Sequence, residues 1–335
     1  FSGYFFVRLQ AGHLGVVTTH TWLPFVLWAY RRAAARRSWL LAVLGGLPVA
    51  LSILAGHTAS FLYVALVLAA YAAFHAWTRW RAARSGGGVA AALARAGLML
   101  LVGLALAAVQ LLPTVELVLH SVRQGGSYDF AARFSWPPGY LLTLLIPNFF
   151  GEPLHTGYWG DGIYDEFILY LGILPLIMAL LGGKLRHRLR GFLVALGLGG
   201  LVLAFGEHAI LHRLFYRFVP LFQAARAPVR AGFLFTCAAA ALAGLVVTIV
   251  CDGDREQRAR LLSPLRWSWI MTVAGGALLL VAVGFGAFAL GRESNPAAGR
   301  LWHLANRTAW FAFLFLLSCG LLLARRSASI SRSAF

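Results

Sequence analysis

The sequence predicts an all-α polytopic membrane protein with about nine transmembrane helices. Of the 335 residues, 60% are hydrophobic and only 12% are charged, whereas soluble domains carry roughly 25% charged residues. Long apolar runs separated by short basic clusters are typical of helical membrane proteins. The sequence lacks the short alternating segments from which transmembrane barrels are built.

The predicted spans follow from apolar length. They cover residues 14–30, 39–55, 59–77, 91–112, 165–181, 192–205, 228–251, 267–290 and 308–323. Basic clusters follow the first, third, fifth, seventh and ninth of these spans. Because basic loops stay in the cytoplasm, we expect the start of the chain outside and its C-terminus inside.

The formal net charge of +18 also requires an interpretation. The arginines stand between hydrophobic spans at regular intervals, which is the arrangement that sets membrane topology and suits anionic lipid headgroups. We therefore expect membrane lipids as partners and no nucleic acid.

The longest stretch that is neither apolar nor arginine-rich lies in the predicted extracytoplasmic loop 114–164, which should carry short interfacial helices. Prolines and glycines break regular helix there. The stretch 135–166 gathers aromatic side chains and the carboxylates of Glu152, Asp161, Asp165 and Glu166. This combination indicates a binding site. The alternative is an aromatic belt at the membrane surface.

The second outer segment, 206–227, reads as an amphipathic interfacial helix that leads into AARAPVR at 224–230. Pro228 suits the first position of a helix. Arg226 and Arg230 stand on the outer side, and Arg230 falls in the first helical turn, where a cation is disfavoured. A bound phosphate would resolve that conflict. The alternative is an ion pair with Glu152 or Glu166.

Three further features are weaker candidates. Glu116 lies just beyond a predicted span, where an acid is costly unless it is partnered; the alternative is pairing with Arg123. His57 is a candidate for hydrogen-bonding sugar hydroxyls, against a capping role at a helix end. Asp161 with Glu166 is a weak candidate for a divalent cation. The sequence contains no motif of a soluble hydrolase or nucleotide-binding enzyme.

Several blocks resemble the YfhO-like family of bacterial membrane proteins. They are GHLGVVTTHTWLPFVLWAY, LAGHTASFLY, QLLPTVEL, FAARFSWPPGYLLTLLIPNFFGEPLHTGYWG, YLGILPLIMALL and LFQAARAPVRAGFLF. That family is similar to GT-C-type glycosyltransferases, so the resemblance implies transfer of a sugar from a polyprenyl phosphate to a cell-envelope acceptor outside the bacterial cytoplasmic membrane. It implies binding roles for Glu116, Asn148, Glu152, Tyr158, Trp159, Glu166, Arg226 and Arg230.

The resemblance also implies that the catalytic carboxylate lies in a first outer loop upstream of Phe1. We therefore expect residues 1–335 to form one transmembrane domain of a longer chain, with its catalytic base unassigned. Two other functions stay open. A transporter or lipid flippase would place polar residues at mid-membrane, and a non-catalytic scaffold would lack the upstream carboxylate.

Overall fold

A computed structural model describes residues 2–83, 87–121, 127–154, 157–219, 222–223, 225–290 and 296–326, and most of these residues are helical. The α-helices are α1 Gly3–Gln10, α2 Leu14–Thr21, α3 Leu23–Ala35, α4 Trp39–Leu54, α5 Thr58–Ala83, α6 Gly87–Leu106, α7 Ala108–Leu119, α8 Tyr128–Ala132, α9 Tyr164–Phe167, α10 Ile173–Gly182, α11 Arg190–Ala204, α12 Ile210–Phe218, α13 Gly232–Asp252, α14 Arg255–Leu262, α15 Leu265–Leu290 and α16 Pro296–Arg326.

The remaining regular structure is short. Three 3₁₀ helices cover Pro138–Leu144, Gly206–His208 and Pro228–Ala231. Two strands, β1 Gly151–Glu152 and β2 Gly157–Tyr158, form an antiparallel hairpin in which Gly151 lies opposite Tyr158. The predicted all-α class is confirmed. The two predicted outer segments contain the short helices α8 and α12 and the 3₁₀ helices Pro138–Leu144 and Gly206–His208.

Within the described residues, four helices are long and apolar enough to cross a membrane: Thr58–Ala82, Gly88–Leu106, Pro228–Asp252 and Ala298–Arg325. They correspond to the third, fourth, seventh and ninth predicted spans. The count of nine is not supported, because the other predicted spans yield shorter helices or shorter apolar segments. The shorter segments are Trp39–Leu54, Ile173–Gly182, Arg190–Ala204 and Thr272–Phe288. The first predicted span is also not a single helix, because it is divided between α2 and α3.

Two predicted spans are interrupted for identifiable reasons. The first is divided at Trp22, and Pro24 then occupies the first turn of α3, where a missing N–H costs nothing. The fifth begins with the four residues of α9 and resumes as a helix only at Ile173. Gly172 precedes that restart with φ +102°, a conformation that favours glycine.

The fourth predicted span ends differently from our prediction. The break falls at Ala107, whereas Pro113 lies inside α7. The predicted outer loop 114–164 therefore begins as helix and continues so to Leu119. A proline inside a helix removes one backbone hydrogen bond and bends the helix without ending it here.

The chain forms two compact units. The first comprises residues 1–4, 137–198 and 235–335, and the second comprises residues 5–136 and 199–234. In the second unit α4 and α6 approach closely, since Gly46 faces Val102 and Gly103 faces Val49 without intervening side chains. Small residues at helix contacts permit this approach.

The core of the first unit lies among α10, α13, α14 and α16. Ile173, Val246, Val250 and Leu322 are buried there. The buried Arg325 closes one end of this core, because its Nε donates to Val250 O at 3.2 Å and its Nη2 donates to Cys251 O at 3.3 Å. These bonds satisfy carbonyls that the C-terminus of α13 leaves without a helical partner.

Candidate functional site

In the second unit, Arg230 and His57 form a polar pair that joins two helix starts. Arg230 Nη1 lies 3.1 Å from His57 Nε2, although 173 residues separate them. His57 immediately precedes α5, and Arg230 lies in the 3₁₀ turn Pro228–Ala231 that leads into α13 at Gly232. Both side chains are partly buried. The N-termini of long helices carry partial positive charge, so two such ends add to the positive electrostatic potential around the Arg230 side chain.

His57 is contacted at both nitrogens of its ring. The backbone N–H of Ser60 lies 3.1 Å from Nδ1 of His57, and Nη1 of Arg230 lies 3.1 Å from Nε2. A guanidinium can only donate, so Nε2 is the acceptor in the contact with Arg230. This contact fixes the position of the Arg230 guanidinium, whose charge and planar shape suit an anionic oxygen such as that of a phosphate.

The segment before Arg230 is held in a strained conformation. Ala227 has φ +66° and Phe134 has φ +63°, both in the left-handed region that non-glycine residues avoid. The N–H of Ala227 donates to Arg133 O at 3.1 Å, which fixes the two strands of backbone together. Strain of this kind persists where the surrounding structure enforces it, and it occurs at binding sites.

Arg226 is placed by aromatic rings. Its guanidinium carbon lies 5.3 Å from the ring centre of Phe134 and 5.8 Å from that of Phe130. Stacking of this kind orients the planar guanidinium at an exposed position. Arg226 thus contacts aromatic rings, whereas Arg230 contacts His57.

Sequence reasoning missed two further basic residues of this unit, Arg8 and His20. Both are fully buried. The ring of His20 stacks on Phe233 with centroids 3.7 Å apart and planes at 12°. The available signal was a histidine inside an apolar run and an arginine within FFVRLQ.

In the first unit, Asn148 is the centre of a polar network in the outer loop. Its Nδ2 donates to Glu152 Oε2 at 3.3 Å, and its Oδ1 accepts from the Tyr164 hydroxyl at 2.7 Å. His303 Nε2 lies 2.8 Å from the backbone oxygen of Asn148. Arg307 completes the network, since its Nη2 lies 3.8 Å from Glu152 Oε1. Asn148 has φ +59°, which asparagine tolerates better than other side chains.

The aromatic side chains of the loop pack beside this network. The Tyr158 hydroxyl lies 2.9 Å from that of Tyr140, and both hydroxyls donate to the carbonyl oxygen of Asp161. Burial raises the pKa of Tyr158, so it stays protonated as a donor. Trp159 lies under the Arg300 guanidinium at 5.6 Å and against the edge of the His303 ring at 5.3 Å. Tyr158 and Trp159 are half-buried beside these polar groups, whereas Tyr140 and His303 are buried.

The structure brings some predicted site residues together and leaves others apart. Asn148, Glu152, Tyr158 and Trp159 share the loop network, and the ion-pair partner found for Glu152 is Arg307. Arg300, His303 and Arg307 of α16 were not predicted as site residues, because their distance in sequence hides the contact.

Glu116 and Glu166 have different surroundings from those of the loop network. Glu116 is exposed on α7, and its suggested partner Arg123 lies outside the described residues. Glu166 is buried in α9, whereas Asp161 is exposed. Among the described residues there is no group of three or more histidine, cysteine or acidic side chains that could hold a metal ion.

Comparison with family models, with curated proteins and with solved structures gives no match for this chain. Its class therefore rests on its own fold and composition. A predominantly helical chain with four helices of membrane-spanning length and composition belongs among the helical membrane proteins.

Proposed function

We propose that this chain is a YfhO-like, GT-C-type glycosyltransferase that transfers a sugar from a polyprenyl-phosphate donor to a cell-envelope acceptor. The observation that carries the proposal is the pairing of Arg230 with His57 at two helix starts. Such a site suits a phosphate that sits at the edge of a membrane, because fixed donors and helix ends favour an anion there.

In the proposed reaction this site stabilises the leaving phosphate group. The acceptor oxygen forms a bond to the anomeric carbon of the sugar, and its proton passes to a base. The bond from that carbon to the phosphate oxygen breaks, and its electron pair goes to the phosphate. Negative charge grows on the phosphate as the bond breaks, and Arg230, held in position by its hydrogen bond to His57, stabilises that charge as a preorganised donor.

Taken by itself, the loop network of the first unit has the chemistry of a carbohydrate-binding surface. Trp159 and Tyr158 provide flat aromatic faces, and Asn148 and Glu152 provide an amide and a carboxylate held at fixed positions. Sugars combine apolar ring faces with hydroxyl groups, so a surface of this mixed chemistry matches them. In this proposal Arg307 orients Glu152 as an acceptor for hydroxyl groups.

The proposal includes the topology predicted from the basic clusters. The four long helices cross the bacterial cytoplasmic membrane, and the shorter apolar helices complete about nine crossings with neighbouring segments. The loop 114–164 and the segment 206–227 then face outwards, and the arginine clusters face the cytoplasm.

The experiment measures transfer of a radiolabelled sugar from polyprenyl phosphate by the protein in proteoliposomes containing cell-envelope acceptor. We expect Arg230→Gln and His57→Gln each to lower the rate of transfer by at least about 10²-fold, as loss of one charge-stabilising donor does. Arg217→Gln is the matched control, because Arg217 is an exposed arginine of α12 in the same unit. Undiminished transfer by Arg230→Gln would remove Arg230 from the reaction.

A transporter predicts a different result in the same vesicles. It would move labelled substrate into the lumen without formation of a glycosylated product. Uptake without transfer would therefore replace the transferase proposal, and a scaffold would give neither signal.

A further inference from the structure

A groove of about 340 Å³ runs between α3 and α4 in the second unit. The two helices are joined by the short connection 36–38, so they pack as antiparallel neighbours. One wall comes from α3 and the residue before it, and the other from α4. The groove is lined by Trp22, Phe25, Trp28, Ala29, Arg32, Leu41, Leu44, Gly45, Leu47, Pro48 and Leu51.

Small residues line the inner part of the groove. Ala29 and Gly45 are buried there, and Gly45 packs against Met99 of α6. The side chains above them are large and outward-facing, with Trp28 61% exposed and Leu44 59% exposed. The walls are apolar along most of their length. Filling the groove with an apolar chain is therefore favourable, because it removes apolar surface from water.

One end of the groove is strongly basic. Arg32 lines it and lies 5.4 Å from the ring centre of Trp28. The exposed Arg31, Arg36 and Arg37 stand in the same stretch at the end of α3. None of the lining residues is acidic. An apolar groove that ends at one guanidinium group within a basic stretch is complementary in charge and polarity to a lipid with a negative headgroup.

The length of the groove selects the kind of lipid. From Trp22 to Arg32 the helix advances about 15 Å. The hydrocarbon layer of a bilayer is roughly 30 Å thick, so the groove has the length of one leaflet. This length suits a phospholipid acyl chain, whose headgroup stays at the surface of its own leaflet. A polyprenyl chain is not limited to that length.

We propose that the α3–α4 groove binds one acyl chain of an anionic phospholipid, with the phosphate held at Arg32. The site is separate from the Arg230–His57 pair and does not depend on sugar transfer. Its role is to hold a specific lipid against the helix pair at the basic end of the second unit.

The experiment is native mass spectrometry of the purified protein titrated with phosphatidylglycerol. We expect Arg32→Gln to weaken binding of the most tightly held lipid about five-fold, the effect of one arginine near a lipid phosphate. Arg36→Gln should change it less than about two-fold, because Arg36 belongs to the same basic stretch and does not line the groove. Phosphatidylcholine should bind more weakly and show no dependence on Arg32.

A second pair of variants tests the apolar wall. Trp28→Ala should weaken phosphatidylglycerol binding, whereas Trp77→Ala should not. Trp77 is the matched control, because it is also about half exposed and stacks with an arginine, Arg81, at 5.0 Å. Equal loss of phosphatidylglycerol affinity in Arg32→Gln and Arg36→Gln, or in Trp28→Ala and Trp77→Ala, would overturn the proposed site. Binding would then depend on surface charge or on exposed aromatic side chains in general.

Three other outcomes would also overturn the proposal. They are equal affinity for phosphatidylcholine, displacement of the lipid by an equimolar polyprenyl phosphate, and a dimer whose formation releases the lipid. The last would make a second copy of the chain the occupant of the groove.

Discussion

Substitution of Asn148 separates two contributions to the stability of the outer loop. Asn148→Gly keeps the left-handed backbone accessible and removes the amide that holds Tyr164 and Glu152. Asn148→Ala removes the same amide and adds the cost of a non-glycine residue at φ +59° without the local hydrogen bonding that asparagine provides. Both variants therefore lose the amide, and they differ in the left-handed backbone cost for alanine and in the more flexible unfolded chain for glycine.

The magnitudes follow from the contacts. Loss of the acceptor for the half-buried Tyr164 hydroxyl costs roughly 1–2 kcal/mol, with a smaller amount for the 3.3 Å bond to Glu152. The left-handed backbone adds roughly 1 kcal/mol for alanine, while glycine makes the unfolded chain more flexible by up to about 1 kcal/mol. We expect Asn148→Ala to lower the free energy of unfolding by about 3 kcal/mol and Asn148→Gly by about 2–3 kcal/mol.

The assay is denaturant unfolding in detergent micelles, followed by tryptophan fluorescence. Asn306→Ala is the control, because it removes an exposed amide from α16 and should stay within about 0.5 kcal/mol of the wild type. Wild-type stability in both Asn148 variants would refute the network, and a larger loss for glycine than for alanine would refute the backbone argument.

Three further changes test the fold. Gly103→Ala should destabilise the second unit by roughly 1–3 kcal/mol, because a Cβ there meets α4, whereas Gly97→Ala has open space and should be neutral or stabilising. Burial lowers the pKa of His212 from 6.5 to about 4. The unfolded chain therefore binds the proton first, and stability should fall as pH drops from about 6.5 towards 4. His212→Phe should remove that slope in a pH series of unfolding curves. Arg325→Leu should lower the unfolding free energy by about 1–3 kcal/mol, since two carbonyls at the end of α13 lose their donor, and a melt no lower than wild type would contradict this.

Composition and apolar length were enough to predict the helical membrane class and four helices of spanning length. Span length alone overcounted, because local backbone preferences decide where an apolar run bends. Pro24 and Gly172 restart helices inside predicted spans, whereas Pro113 is accommodated inside α7. A proline in the sequence does not reveal whether neighbouring packing tolerates the hydrogen bond that it removes.

The candidate sites were predictable only in part. The concentration of polar and aromatic residues in 135–166 and the unusual arginines at 226 and 230 were visible in the sequence. The contact partners of these residues were not visible in the sequence. His57 contacts Arg230 across 173 residues, and His303 contacts Asn148 across 155 residues. Such pairs depend on tertiary packing, and no local pattern encodes them.

The most direct test of the central claim is the equilibrium affinity of the detergent-solubilised protein for a fluorescent polyprenyl phosphate. If Arg230 and His57 hold the phosphate, Arg230→Gln should weaken binding by about ten-fold or more, and Arg217→Gln should leave it unchanged. Equal affinity for the wild type and Arg230→Gln would contradict the phosphate site, and with it the transferase built on that site.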